Sequence, residues 1–273
     1  MSQKKFLSII FSIAVCSVLL PIYPAEADHM KNERHETTIS LPAKAKVIDL
    51  TQLVSTKAPS YDGKAGEFKY TTLSSIAKDG YASGEFCTHE HIGTHMDAPV
   101  HFLEGGKTIA QLDPGTLILP IVIIDVRAES KKNPDYVLTV EKIEELEKKI
   151  KLTDGAAILL LTGWDKRYFV DGEYRNADSK GVMHFPGFSK EAARYLIDHH
   201  HIRALGIDTL SIDYGPSEDF PVHKLVLGKG LFMIENLTNL EQLPTTGATG
   251  IFAPLKIEGG TGSPARALAL IPI

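Results

Sequence analysis

The chain has 273 residues, a formal net charge of −5, and 43% hydrophobic and 23% charged residues, which is close to the average for globular proteins. This composition excludes a disordered chain, a collagen-like repeat and a strongly basic nucleic-acid-binding protein. One large core is stable at this length, and no linker rich in proline and glycine divides the chain. We therefore expect a single domain from residue 46 to residue 273.

The first 27 residues have the three parts of a secretory signal peptide. Lys4 and Lys5 supply the positive start, residues 6–20 form an apolar run, and an Ala-Glu-Ala cleavage site follows. The apolar run is shorter than the roughly 20 residues that a transmembrane helix needs. We therefore expect residues 1–27 to be removed on export; their retention as a membrane anchor is the alternative.

The sequence after the cleavage site begins with a polar stretch that has no periodicity. Residues 28–45 are therefore expected to form a flexible lead into the domain. Cys87 is the only cysteine that follows the cleavage site, so an internal disulfide is excluded. The exported protein is then expected to have no stable membrane span and to depend on its core, or on a metal, for stability.

Apolar runs and amphipathic segments alternate along the rest of the chain. Strands are predicted at residues 47–50, 117–126, 157–162, 204–207, 231–234, 251–257 and 267–271. One helix is predicted after Thr139 as N-cap, with Ile143 facing inward, and another after Ser189, with Leu196 facing inward. Strands that alternate with helices indicate an α/β domain, but the clustering of strands near the C-terminus indicates a mixed rather than a parallel sheet.

The highest density of potential metal ligands lies in residues 88–102. Its ligand-capable members read His91-x3-His95-x-Asp97-x3-His101. Imidazole and carboxylate are the ligands that Zn²⁺ or Mn²⁺ takes when no thiolate is offered. A lone histidine is usually a surface or core residue, but a cluster this dense favours a metal site.

This segment is unlike the helical metalloprotease motif, in which two histidines share one helix face. Gly93 and Pro99 disfavour a continuous helix, so the segment is predicted to be a loop or an extended turn. His95 and Asp97 then project to the same side with a period of two.

Two further ligand candidates lie downstream. His223 follows Phe220 and Pro221 in a segment predicted as a loop, and Glu235 follows the predicted strand at residues 231–234. A carboxylate shared between two ions about 3.5 to 4 Å apart is typical of two-metal hydrolases, and such a site needs ligands of this kind.

The residues from His91 to Phe102 resemble the signature of the metal-dependent cyclase family, which includes bacterial kynurenine formamidases and isatin hydrolases. The likeness covers most of the chain from about residue 46. It continues through Leu161-Thr162-Gly163-Trp164, Gly206-Ile207-Asp208-Thr209, His223-x11-Glu235 and Gly262-Ser263-Pro264-Ala265-Arg266.

The resemblance implies two metal ions per subunit, either zinc or manganese. It implies that His91, His95 and Asp97 bind one ion, and that Asp97 bridges to a second ion bound by His223 and Glu235. Also implied are an α/β fold of the swivelling β/β/α type and a homodimer or homotetramer whose subunits meet near the sites.

By the same resemblance His101 is the general acid or base rather than a ligand. The expected reaction is hydrolysis of a carbon–nitrogen amide bond by metal-activated water, as in an arylformamidase. The substrate is a small amide, either an aryl formamide such as N-formylkynurenine or a cyclic amide such as isatin. Leu210, where the family often has proline, and the export signal both depart from the cytoplasmic enzymes of tryptophan catabolism.

Two other hypotheses compete with the hydrolase. An exported protein could bind zinc or manganese without catalysis, although such a protein would not need His101. Alternatively, Cys87 could be a nucleophile activated by a nearby histidine. No nucleotide cofactor is expected, because phosphate-binding motifs are absent from the sequence.

Several residues near the predicted strand ends allow two interpretations each. Trp164 and Phe102 are either walls of an aromatic-substrate pocket or packed core residues. Asp208 and Asp213 are either partners of a metal-binding imidazole or caps of a loop.

Overall fold

The structure, a computed structural model, describes residues 41–63, 68–170 and 172–273. The strands are β1 (Ala45–Asp49), β2 (Phe68–Ser74), β3 (Ser83–Thr88), β4 (His95–Asp97), β5 (Ile118–Asp125), β6 (Val137–Leu138), β7 (Ala157–Leu161), β8 (Gly187–Phe188), β9 (Ala204–Ile207), β10 (Phe232–Glu235), β11 (Ala248–Pro254) and β12 (Gly262–Pro272). The α-helices are α1 (Ile76–Asp79), α2 (Arg127–Lys132), α3 (Val140–Glu147), α4 (Lys190–His200) and α5 (Pro221–Gly228). The predicted signal peptide and most of the predicted lead lie outside the described residues and stay predictions.

Eight strands form the main sheet, in the order β1-β12-β11-β5-β7-β9-β10-β4. Strand β12 also pairs with β4, so seven of the eight strands close into a barrel-like ring and β1 lies outside it. Strands β5, β7, β9 and β10 are parallel, whereas β4, β11 and β12 are antiparallel to their neighbours. The prediction of a mixed α/β fold is confirmed.

The period of two along the strands separates two apolar cores. In β5, Ile121 and Ile123 join a cluster drawn from all seven strands of the ring. Val122 and Ile124 point the other way, into a cluster that includes Ile143 and side chains of α4 and α5. Burying each such side chain contributes about 1.5 to 3 kcal/mol, so the helices are held on the outer face of the ring.

All seven predicted strands occur in the structure, with ends that differ by up to five residues. Both predicted N-caps are confirmed: the Thr139 Oγ1 accepts a hydrogen bond from the Lys142 N–H, and the Ser189 Oγ accepts one from the Ala192 N–H. None of the described helices is long and apolar enough to cross a membrane.

The prediction of a loop around His223 is wrong, because His223 lies in helix α5. Pro221 is the first residue of this helix, a position where its missing N–H costs nothing. The carboxylate of Asp213 accepts hydrogen bonds from the N–H groups of Val222 and His223, at 2.9 and 3.1 Å. The N-terminus of α5 is thus capped by an aspartate distant in sequence, and the residue next to the helix shows no N-cap pattern from which the helix could be predicted.

Candidate metal centre

The short strand β4 is the base of the site. His95 and Asp97 are two residues apart on it, so both side chains project to the same side, as predicted. Glu235, the last residue of β10, lies opposite His95 in the antiparallel pairing, and Gly262 of β12 lies opposite Asp97. Closure of the ring therefore brings residues far apart in sequence to one point.

His95, Asp97 and Glu235 are buried and face one another. The Nε2 of His95 lies 3.3 Å from Oδ1 of Asp97 and 3.4 Å from Oε2 of Glu235. The Nδ1 of His95 donates to the carbonyl of Gly93 at 2.9 Å, because a carbonyl can only accept. This bond leaves Nε2, the nitrogen that faces both carboxylates, to carry either a proton or a metal.

His223 approaches the same carboxylates from helix α5. Its Nε2 lies 3.5 Å from Oδ2 of Asp97 and 3.3 Å from Oε1 of Glu235. Its Nδ1 donates to Oδ2 of Asp213 at 2.7 Å. Of the two interpretations of Asp213, the structure therefore supports both at once: it orients a candidate ligand and caps the helix that carries it.

His91 and His101 complete the cluster on the other side of Asp97. The Nδ1 of His91 lies 2.7 Å from Oδ1 of Asp97. The rings of His91 and His101 stack with their centroids 4.1 Å apart. All six predicted site residues line one cavity of about 310 Å³: His91, His95, Asp97, His101, His223 and Glu235.

The residues present fit a divalent metal ion. Oδ2 of Asp97 is buried and accepts no hydrogen bond from the described residues. Two sets of potential ligand atoms lie within 4.8 Å of one another: His91, Asp97 and His101 form one set, and His95, Asp97 and Glu235 form the other. Asp97 belongs to both sets, which is what a shared carboxylate requires. These sets differ from the ligand sets that the family resemblance implies, because His101 is grouped with His91, and His95 is grouped with Glu235.

The charges of the cluster favour a cation between the carboxylates. Burial raises the pKa of Asp97, but the neighbouring imidazoles of His223, His91 and His95 outweigh burial and hold its pKa well below the usual value. Burial lowers the pKa of His95, but hydrogen bonds to Asp97 and Glu235 outweigh it and raise the pKa to about 10. Burial and the charge of Asp97 raise the pKa of Glu235, but the neighbouring His223 and His95 outweigh them and lower it. The two carboxylates are therefore ionised and need positive charge beside them, from protons or from metal ions.

His101 has the opposite electrostatic character. Burial lowers its pKa, the positive field of His91 and His223 lowers it further, and Asp97 only partly compensates. A pKa below the ordinary value of 6.5 leaves the imidazole of His101 neutral at pH 7, with a lone pair that can accept a proton.

Aromatic rings form one wall of the cavity. Phe102 lies 5.7 Å from Phe220 and 4.9 Å from His223 between ring centroids, and Phe220 lies 6.1 Å from Tyr61. Phe102 is thus a wall residue, whereas Trp164 packs elsewhere in the core, where its Nε1–H donates to the Tyr174 carbonyl. Of the two interpretations, the pocket wall therefore holds for Phe102 and the packed core residue for Trp164.

Asp208 caps a loop rather than orienting an imidazole. Its carboxylate accepts hydrogen bonds from the N–H and Oγ1–H of Thr162 and from the N–H of Gly163, at 2.6 to 3.2 Å. This interaction holds the Thr162–Gly163 turn at the end of β7 against the end of β9.

Asp208→Asn is expected to lower the free energy of unfolding by about 1 to 3 kcal/mol. The amide replaces one accepting oxygen with an N–H donor that faces other donors in a fully buried position. Urea unfolding measures the change, with Asp154→Asn as an exposed control expected to stay within about 0.5 kcal/mol of the wild type. Equal stability of the two variants would contradict the capping role.

Cys87 lies on the exposed strand β3 as a free thiol. Among the residues that the structure describes, those lining the cavity do not include it. A nucleophilic cysteine paired with the histidine cluster therefore has no support in this geometry.

Comparison with known proteins identifies the family. A family sequence model described as "Putative cyclase" matches residues 48–214. The isatin hydrolase of Roseibium aggregatum is 34% identical over 85% of this chain and 94% of its own length. The kynurenine formamidase of Geobacillus thermodenitrificans is 27% identical over 81% of this chain and 95% of its own length.

A solved structure shows the same likeness in three dimensions. Isatin hydrolase A from Ralstonia solanacearum superposes with a TM-score of 0.78 at 33% identity, covering 83% of this chain and 92% of its own. The similarity to this structure therefore extends along most of the chain, well beyond the signature from His91 to Phe102 and the site. The chain belongs to the cyclase family.

Proposed function

We propose that this protein is a metal-dependent hydrolase of a carbon–nitrogen amide bond in a small, aromatic substrate. The observation that carries the proposal is the convergence of five potential ligands and one neutral histidine in a single cavity around the shared carboxylate of Asp97. The relatives described above are hydrolases by name, and their substrates, isatin and formylkynurenine, define the class of amide to test.

The proposed ligands divide around Asp97. His91 and His95 both face Oδ1 of Asp97 and would hold one zinc or manganese ion with it. His223 faces Oδ2 of Asp97 and Glu235, and these three residues would hold a second ion. Divalent ions in such a site supply Lewis acidity, which activates water and polarises a carbonyl oxygen.

His101 supplies the proton transfer in this proposal. Its neutral ring accepts a proton from the attacking water, and the resulting imidazolium returns that proton to the leaving nitrogen. The ring of His91 stacked on it at 4.1 Å and the adjacent Phe102 at 4.8 Å restrict its orientation.

The cavity wall supports an aromatic substrate. Apolar surface in the same cavity as the metal-ligand candidates comes from Tyr61, Phe102, Leu210 and Phe220. Aromatic rings prefer offset-stacked or edge-to-face contacts with other rings, so this wall can orient a planar substrate with its amide carbonyl towards Asp97.

The test is the hydrolysis of N-formylkynurenine and of isatin by the purified protein supplied with zinc or manganese. We expect turnover of at least one compound, loss of turnover after chelation, and recovery when the metal is returned. Metal binding without turnover of either compound would contradict the aromatic-amide proposal and favour the non-catalytic metal-binding protein instead.

The proposal includes export. The signal peptide predicted at residues 1–27 implies a mature protein that begins at Asp28 and acts outside the cytoplasm. N-terminal sequencing of the protein recovered from the extracytoplasmic fraction of an expressing host checks this, and a cell-bound protein that begins at Met1 would contradict it. The swivelling fold type and a homodimer or homotetramer also remain parts of the proposal.

A further inference from the structure

His91 presents a different ring nitrogen to Asp97 than its two neighbours do. His95 and His223 face the carboxylates through Nε2, whereas His91 faces Asp97 through Nδ1, at 2.7 Å. The Nδ1 atoms of His95 and His223 each donate to an acceptor, the Gly93 carbonyl and Asp213. In His91 the nitrogen on the far side from Asp97 is Nε2.

The Nε2 of His91 lies 2.9 Å from the hydroxyl oxygen of Thr261. That hydroxyl lies 2.5 Å from Oε2 of Glu90, and the backbone N–H of Thr261 donates to the same oxygen at 3.1 Å. A carboxylate can only accept, so the single hydroxyl proton of Thr261 is directed at Glu90. The oxygen of Thr261 is then left as an acceptor, and the His91 Nε2 must carry the proton between them.

The backbone fixes this arrangement in space. Glu90 immediately precedes His91, and Thr261 immediately precedes strand β12, while the Thr261 carbonyl accepts the N–H of Ala98 at 2.9 Å. A Cβ atom added to Gly262 would lie 2.5 Å from Cε1 of His91. The imidazole is therefore packed against bare backbone on β12 and has little room to move away from Thr261.

We propose that Glu90 and Thr261 are positioning residues that keep a proton on Nε2 of His91. Nδ1, which donates to Asp97 at 2.7 Å in the metal-free protein, is then the nitrogen that gives up its proton to bind a metal. The proposal rests on the proposed function only in taking His91 as a ligand. Partners that hold the far nitrogen of a metal-binding histidine typically change metal affinity by about 10- to 100-fold when they are removed.

Three variants test the role of the hydroxyl. Thr261→Val keeps the shape of the side chain but removes the hydroxyl, and we expect zinc affinity to fall by roughly 10- to 100-fold. Thr261→Ser keeps the hydroxyl and is expected to bind zinc as the wild type does. Glu90→Gln permits the amide to donate to Thr261 as well as to accept, so an intermediate loss is expected. Isothermal titration with zinc alone measures all three.

The protonation of Nε2 is read by ¹⁵N NMR of the histidine rings, with His91 assigned from the spectrum of His91→Gln. We expect Nε2 of His91 to be protonated in the wild type with and without zinc, and the Nε2 signal to shift in Thr261→Val but not in Thr261→Ser. An unprotonated Nε2 in the wild type, or wild-type zinc affinity in Thr261→Val, would overturn the proposal.

These readouts are independent of substrate. A wild type that hydrolyses neither test compound would contradict the proposed function but leave the zinc and NMR results to judge the two positioning residues. A wild type that binds no zinc would contradict the metal site. The protonation of Nε2 in the metal-free protein would still show whether His91 donates to Thr261.

Discussion

His101→Ala is expected to lower kcat by roughly 10²- to 10⁴-fold, which is the usual contribution of a general acid–base group. The reason is that His101 is the cavity histidine whose pKa is lowered, so it can accept a proton at neutral pH. The metal content is expected to stay at the wild-type value, because the other five residues would still hold the ions. Steady-state kinetics and elemental analysis on the same preparation measure both quantities.

A matched control separates this role from a general effect of losing an imidazole. His199→Ala removes an exposed histidine near the end of α4 and is expected to leave kcat unchanged. Loss of metal in His101→Ala would instead make His101 a ligand, as its position near His91 and Asp97 permits. Undiminished kcat with metal bound would remove His101 from the mechanism.

Asp97→Asn is expected to abolish metal binding and turnover together. Asp97 is the only residue common to both sets of potential ligand atoms, and asparagine replaces a charged oxygen with a neutral amide. Removing one partner from a buried ionic cluster also costs about 3 to 5 kcal/mol, because His95 and His223 lose one of the two carboxylates that their Nε2 atoms face. We therefore expect a lower midpoint of urea unfolding in addition to the loss of metal.

Metal content, activity and urea unfolding of Asp97→Asn are compared with those of Asp154→Asn. Asp154 is exposed and outside the cavity, so its variant is expected to match the wild type in all three. If Asp97→Asn retained two metal ions per chain, the shared-carboxylate arrangement would be wrong.

The sequence was sufficient to predict seven strands of the main sheet and the residues that meet in one cavity around Asp97. Long apolar runs such as residues 117–126 indicate strands because their side chains are buried on both faces of the sheet. The density of potential ligands from His91 to His101 indicates a metal site. The signals that failed are short or distant. Strand β4 has only three residues, and its pairing with β10 and β12 is created by closure of the ring rather than by propensity.

The least predictable features depend on contacts between distant segments. The N-terminus of α5 is capped by Asp213, so His223 showed no local helix signal except Pro221 at the first position. The partnership of Glu90 with Thr261 joins residues 171 positions apart, and only the register of β12 against β4 brings them together. No pattern within either segment indicates it.

The most direct test of the central claim is the metal content per chain of the purified protein after incubation with zinc or manganese and removal of unbound ions. The geometry around Asp97 predicts close to two divalent ions per wild-type chain and almost none in Asp97→Asn. A wild-type chain that retains no metal under these conditions would contradict the assignment of the cluster as a metal centre, and with it the proposed hydrolase.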